Sequence, residues 1–225
     1  MTTTTERIDS LKTDLRNESL SFEQLFQKHI VDIQSFYFNT ILQDTGKEYE
    51  IRELIANSLG VHINEVVIVG SAKLGFSLNP NKLYNEFDAK FNRTSVIRDK
   101  SDLDIAVISP DLFKELNIRI YDFTNSFKVK WKENEYYNGD KINGFEVPIN
   151  YKFFEYHTKG WFRPDFKPSG FEFCINNTFE GLKKQIIDIT GRRLGLGIYK
   201  NWFFFKNYHI ENLKRLQLLM QREIL

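Results

Sequence analysis

The sequence predicts an α/β (α+β) fold: a small, mixed, twisted sheet flanked by helices, with a helical lobe towards the C-terminus. Three observations carry this. A short β-branched run, Val66-Val67-Ile68-Val69, breaks at Gly70-Ser71. A second strand-like run, Asp102-Leu103-Asp104-Ile105-Ala106-Val107-Ile108, alternates in character. Stretches with apolar residues at helical spacing lie before and after both. The organisation expected is N-terminal helices over 1–60, a sheet core over 61–156 with an insert at 77–100, and a loop with a helical lobe over 157–225.

Composition narrows the class. The chain has 225 residues, 41% of them hydrophobic and including 21 Phe and 10 Tyr, enough for a substantial core. Net charge is +1, so the whole molecule is not a polycation. The charge is uneven: residues 1–60 hold six Lys+Arg against ten Asp+Glu, and residues 151–225 hold thirteen against seven. A basic C-terminal part suits phosphates or nucleic acid, or is a solvated helical face. The single cysteine, Cys174, permits no intramolecular disulfide and fits a reducing, cytoplasmic compartment. No run approaches the ~18 apolar residues of a membrane span, so no membrane partner is expected. With four histidines and one cysteine there is no zinc constellation, and no Walker-type lysine loop or Gly-x-Ser-x-Gly elbow is present.

Taken in order, Glu6–Asn17 has weak helical patterning. Ser21 and Gln24 have capping-box spacing and open a helix carrying Leu25, Phe26, Ile30, Ile33, Tyr37 and Ile41; His29 on it reads as a surface or boundary residue. A third helix runs from about Lys47 to Leu59 and stops at Gly60. These acidic helices read either as packing elements or as a face for a protein partner. Val61–Val69 reads as the first strand. At its exit, Gly70 lets the backbone approach a ligand closely, backbone N–H groups of the following turn favour an anion, and the Ser71 hydroxyl and Lys73 can reach the same phosphates. In the insert a loop, a short helix over 83–91 and a basic return place Lys82, Lys90, Arg93, Arg98 and Lys100 near the start of the second strand.

In that strand Asp102 and Asp104 share one face while Leu103, Ile105 and Val107 point into the core. Side-by-side carboxylates repel unless a cation lies between them, and Mg²⁺ takes one or two carboxylates plus substrate phosphates. Ser109-Pro110 starts the next helix as N-cap and first position, with the helix expected to reach about Phe127. Asn138-Gly139-Asp140 and Asn143-Gly144 are turn signals, and Phe145–Tyr156 reads as a third strand. Its polar face, Glu146, Pro148, Asn150 and Lys152, is expected to meet the two aspartates. Asn150 can ligate a metal through its amide oxygen but cannot serve as a general base, and Glu146 and Glu155 are the fallback carboxylates. Trp161–Pro168 is a Pro-punctuated loop that covers the site or crosses the surface. Phe179–Ile189 is a helix, residues 190–197 break it, and Ile198 to about Gln221 is the last helix.

A strand ending in Gly-Ser, then a strand reading Asp-x-Asp between apolar residues, resembles the signature of the DNA polymerase beta-like nucleotidyltransferases, as a small stand-alone member. By position the resemblance assigns Gly70 and Ser71 to the triphosphate and Asp102 and Asp104 to catalytic metal binding, with Asn150 in the place of a third carboxylate. It implies Mg²⁺ (or Mn²⁺), an NTP substrate such as ATP, and transfer of an NMP to a hydroxyl of RNA, protein or a nucleotide. It further implies a toxin–antitoxin or phage-defence setting. The helical tail matches the lobe that many of these enzymes use for base and triphosphate, so Arg192, Arg193, Tyr199 and Lys200 become candidates for phosphate contact and base stacking. An aromatic cluster such as Tyr199, Trp202, Phe203 and Phe205 is more often core than stacking platform. The match departs from the family in the length of segment 72–101 and in Asn150. The second departure favours the alternative, a nucleotide-binding regulatory or antitoxin-like module with little or no turnover.

Overall fold

The structure is a computed structural model that describes residues 3–125, 131–142 and 144–222. Before the sheet come α1 (Thr4–Arg16), α2 (Phe22–Phe26) and α3 (Thr45–Leu59). Their ends follow sequence signals. Thr3 with Glu6 and Ser21 with Gln24 form reciprocal capping boxes, and Gly60 closes α3 in the left-handed conformation. The expected continuous helix from Ser21 instead ends at Phe26 and continues as two separate π-helical turns, Gln27–Val31 and Tyr37–Ile41. His29 on the first turn is buried and pairs with Asp14 at 2.6 Å.

The first strand is shorter than expected: residues 63–65 form a 3₁₀ turn, and only Val66–Val69 is β1. It runs into α4 (Gly70–Leu74), and the insert carries α5 (Ala89–Thr94). β2 (Leu103–Ile108) follows, then α6 (Pro110–Thr124) with Ser109 as N-cap. The extension of that helix to Phe127 and the turn residue Asn143 lie outside the described residues. Next come β3 (Tyr136–Ile142), β4 (Phe145–Pro148), α7 (Ile149–Thr158), β5 (Trp161–Phe162), α8 (Phe179–Thr190), β6 (Leu194–Tyr199) and α9 (Trp202–Arg222).

The main sheet has the order β1-β2-β6-β5. β1 is antiparallel to β2, β2 is parallel to β6, and β6 is antiparallel to β5. β3 and β4 form a separate hairpin. Pleat parity sorts the side chains into two cores. Ile68, Leu103, Ile105, Val107, Leu196 and Ile198 belong to one, with Ile55 of α3, Leu116 of α6 and Leu182 of α8. Ala106, Ile108 and Tyr199 belong to the other, with Leu11 of α1, Phe26 of α2 and Leu213 of α9. The sheet is therefore mixed and flanked by helices on both faces.

Two elements differ from the sequence reading and change the site. The expected third strand over 145–156 is β4 followed by α7. The last hairpin bond runs from the Ile149 N–H to the Glu135 carbonyl at 2.8 Å, and Pro148 (φ −60°, ψ 146°) stands at the N-cap from which the chain turns into the helix. The true neighbour of β2 is β6, in the stretch read as a helix break and helix start. Leu194, Leu196 and Ile198 alternate there with Gly195 and Gly197, which is a period of two. No helix among the described residues is long and apolar enough to cross a membrane.

Candidate functional site

Asp104 is the centre of the site. Strand register places Val69 opposite Asp104 on one side and Gly195 opposite it on the other. The carboxylate fills the space that Gly70 and Gly195 leave open. A Cβ on Gly70 would stand 2.5 Å from Asp104 Oδ2, and one on Gly195 would collide with Oδ1. Gly70 also has φ +65°, a region that side chains disfavour. Burial, and secondarily the negative charge of Asp102, pushes the Asp104 carboxyl up to about 7, with Lys82 and Arg163 pulling the other way.

Asp102 lies at the entry of β2, half exposed. Arg193, at the entry of β6, donates to its Oδ1 from Nε at 2.8 Å. The two side chains, Arg193 and Asp102, are 60% and 45% exposed, so solvent screens the pair and it is worth at most ~1 kcal/mol. A stronger ligand for Asp102 can therefore displace Arg193.

Two clefts meet at this point, sharing Ser71, Ser77, Lys82 and Asp104. The insert-side cleft, of about 420 Å³, is lined by Asp102, Arg193 and five cations of the insert: Lys82, Lys90, Arg93, Arg98 and Lys100. The placement of these five beside the aspartate pair is as the sequence indicates. The second cleft, of about 610 Å³, opens towards the C-terminal helix and is lined by Gly70, Lys73, Trp161, Arg163, Asp165, Tyr199, Tyr208, His209, Asn212 and Arg215. Lys73 is 8% exposed, and burial lowers its pKa. It makes no ion pair among the described residues, so it is a desolvated cation on the cleft wall next to the Gly70-Ser71 turn.

The other sequence candidates lie elsewhere or act differently. Asn150 is in the first turn of α7, where its Oδ1 accepts from the Tyr151 N–H at 2.7 Å, and it lines neither cleft. The position beside Asp104 that the sequence reading assigns to it is held by Gly195. Glu146 is on β4, and Glu155 pairs with Lys152 and Lys159. Arg192 is buried and gives a bidentate pair to Asp88, with both N–O distances at 2.6 Å, and lines neither cleft. Its role is to fasten the insert, because Asp88 also accepts from Ser101 N–H at 2.8 Å and donates its own N–H to Ser101 Oγ at 2.9 Å. Tyr199 lines the second cleft but is buried, stacked on Trp161 with centroids 5.1 Å apart and met edge-on by Phe205, so no free ring face is offered for a base. Lys200 is exposed on the turn after β6, its ammonium 5.7 Å from the Phe204 centroid, and lines neither cleft.

Sequence reasoning does not single out Asp165, Tyr208, His209, Asn212 or Arg215. Arg163 and Asp165 follow β5 directly, so the Trp161–Pro168 loop does cover part of the second cleft. His209 is buried, and burial pushes its pKa down to about 4, which keeps it neutral near pH 7. Only spacing along α9 links Tyr208, Asn212 and Arg215 in the sequence, and that spacing is common to any helix face.

Among the described residues no group of three or more His, Cys, Asp or Glu side chains is placed to hold a metal. The donor set is the pair Asp102 and Asp104. Two carboxylates on one face of a strand end, one of them buried with its pKa raised to about 7, are a donor set that a single hard divalent cation could use with phosphate and water as its remaining ligands. A two-metal carboxylate cage is not formed among the described residues.

The class that fold and site define is an α+β protein with a mixed sheet bearing a paired-carboxylate cleft. Comparison with protein-family models, curated proteins and solved structures finds no match for this chain.

Proposed function

We propose that the protein is a metal-dependent nucleotidyltransferase that moves an NMP from an NTP to a hydroxyl. One observation carries the reading: the Gly70-Ser71 turn, the buried Lys73 and the Asp102/Asp104 pair, distant in sequence, border one cleft junction centred on Asp104. In this reading the triphosphate lies in the second cleft, against the Gly70-Ser71 turn, Lys73 and Arg215. Asp102 and Asp104 would hold one Mg²⁺ (or Mn²⁺), which supplies neutralisation of charge on the transferring phosphoryl group. The acceptor oxygen bonds to the α-phosphorus, the bond from that phosphorus to the bridging oxygen breaks, and pyrophosphate leaves with the electron pair. The hydroxyl proton passes to water, since no third carboxylate joins the pair among the described residues.

A second reading has its own observation. Arg193 occupies Asp102, and the strand beside Asp104 offers only Gly195. A protein of this build can bind a nucleotide without turning it over, as a regulatory or antitoxin-like module. Incubation with each α-labelled NTP, Mg²⁺ or Mn²⁺ and total RNA, beside Asp102→Ala/Asp104→Ala, separates the two. Label moved to RNA, protein or nucleotide by the wild type alone supports transfer. Metal-dependent NTP binding in calorimetry with no label moved supports the second reading, and neither result removes both.

A further inference from the structure

The insert-side cleft contains more cationic charge than its own carboxylates use. Lys90 is taken by Asp99 at 2.7 Å and Arg193 by Asp102 at 2.8 Å. Arg93, Arg98 and Lys100 line the same cleft and make no ion pair among the described residues. Arg93 spends its Nε on the Ala89 carbonyl at 3.1 Å, and Lys100 lies over the Phe91 ring at 5.2 Å. Glu86 and Asp104 are the other carboxylates of the lining, so six cations face four carboxylates, and this excess of positive charge favours an anion.

This cleft is also built rather than floppy. Asp88, fixed by Arg192 and Ser101, ties the end of the loop and the return to β2 to the foot of β6. Phe87 donates its N–H to the Gly75 carbonyl at 2.8 Å, and Phe76 bridges Glu86. The backbone that presents the cations is therefore fixed, which lowers the entropic cost of binding.

We propose, resting on the nucleotidyl-transfer reading, that the insert-side cleft binds the phosphate backbone of a single-stranded oligonucleotide whose terminal ribose hydroxyl is the acceptor. The donor's phosphates have their own cations, Lys73 and Arg215, across the junction. The insert cations face Asp104 from the other side, where an acceptor has to enter. A neutral protein hydroxyl leaves these cations unanswered. They come from the last turn of α5, from the turn at 97–99 and from the return to β2, so they meet successive phosphates better than the single cluster on a free nucleotide. Ile97, 77% exposed next to Arg98, adds an apolar surface of the kind an unstacked base accepts.

The test is fluorescence anisotropy of the full chain with a 5′-fluorescein single-stranded RNA over a salt series, for wild type and Arg93→Gln/Arg98→Gln. Both arginines are exposed and make no ion pair among the described residues, so the variant keeps its fold. RNA affinity should fall about tenfold or more, and the log–log salt slope should shrink by roughly 1.4, about 0.7 for each phosphate no longer neutralised. NTP binding by calorimetry should stay unchanged. Unchanged RNA affinity overturns the proposal, as does an equal loss of NTP binding, or a mononucleotide competing as well as the oligonucleotide. Label that moves only to protein or free nucleotide also overturns it while leaving the transferase reading intact. RNA binding that depends on Arg93 and Arg98 without any NTP binding does the reverse: the surface stands and the transferase reading falls.

Discussion

The two strands that flank β2 build the site in opposite ways. β1 and the turn after it contribute groups: a Gly-Ser turn, a hydroxyl and a buried ammonium. β6 contributes room. Gly195 leaves space for the Asp104 carboxylate, and Gly197 leaves space for Trp161, whose Nε1 a Cβ there would strike. A binding site thus depends on absent side chains as much as on present ones, and only the second kind resembles a motif in a sequence.

The largest effect expected comes from the tie between the halves. Arg192→Met leaves Asp88 buried without its partner and should cost about 3–5 kcal/mol in urea unfolding. Hydrogen exchange over 77–100 should rise with it. A loss near zero would mean that the insert does not depend on its anchor.

Asp104→Asn probes, through pH, the β2 carboxylate that both flanking strands enclose. The folded carboxyl titrates near 7 against an unfolded value of about 3.9, so the folded state binds the proton more tightly. The wild-type aspartate therefore destabilises fully above pH 7, less as pH falls towards 4, and not at all below. The Asn variant should be more stable than wild type at pH 8 by on the order of 2–4 kcal/mol, with the gain gone at about pH 4. Unfolding curves with a pH-independent difference would contradict the raised value.

Gly195→Ala and Gly197→Ala sharpen the contrast on the other strand. Each should cost about 1–3 kcal/mol by overpacking. Gly195→Ala displaces Asp104 and should abolish Mg²⁺-dependent NTP binding in calorimetry, whereas Gly197→Ala moves Trp161 on the wall of the second cleft and should weaken that binding without abolishing it. Equal losses for both would mean that the glycines serve the sheet and not the carboxylate.

The smallest change in stability belongs to Arg193→Ala, under ~1 kcal/mol because the pair with Asp102 is exposed. Its interest is functional. If Arg193 competes with a cation for Asp102, Mg²⁺ affinity should rise several-fold in this variant; no rise would place the cation on Asp104 alone.

The half of the site that contributes groups is legible because its signals are local. Val66–Val69 is a pure β-branched run, Asp102–Ile108 alternates, and Ser109-Pro110, Gly60 and Ser21–Gln24 mark helix ends through one- to three-residue chemistry. The β6 half is not, since Gly195 and Gly197 read as breakers in isolation and become strand residues only beside β2. Asn150 is misplaced by sequence because the apolar spacing after Pro148 suits both a strand and a short helix, and packing against Trp131 and Phe162 decides for the helix. Arg192 reads as a phosphate contact because nothing in the sequence connects it to Asp88. The basic insert is readable by charge, and its position beside the aspartates follows from topology.

The parallel pairing of β2 with β6 also sets an order of events during synthesis. Residues 109–193 separate the two strands, and at about 5–20 residues per second the ribosome takes roughly 4–17 s to span them. For that interval a nascent chain can pair β1 with β2, yet β2 presents a bare edge of Val, Ile and Leu with two aspartates at its head. Unpaired edges recruit other strands, and charges at an edge discourage it. Until β6 pairs, the charges of Asp102 and Asp104 repel the same pair on another copy and so guard the edge against self-association, a guard that becomes unnecessary when Gly195 takes its place opposite Asp104.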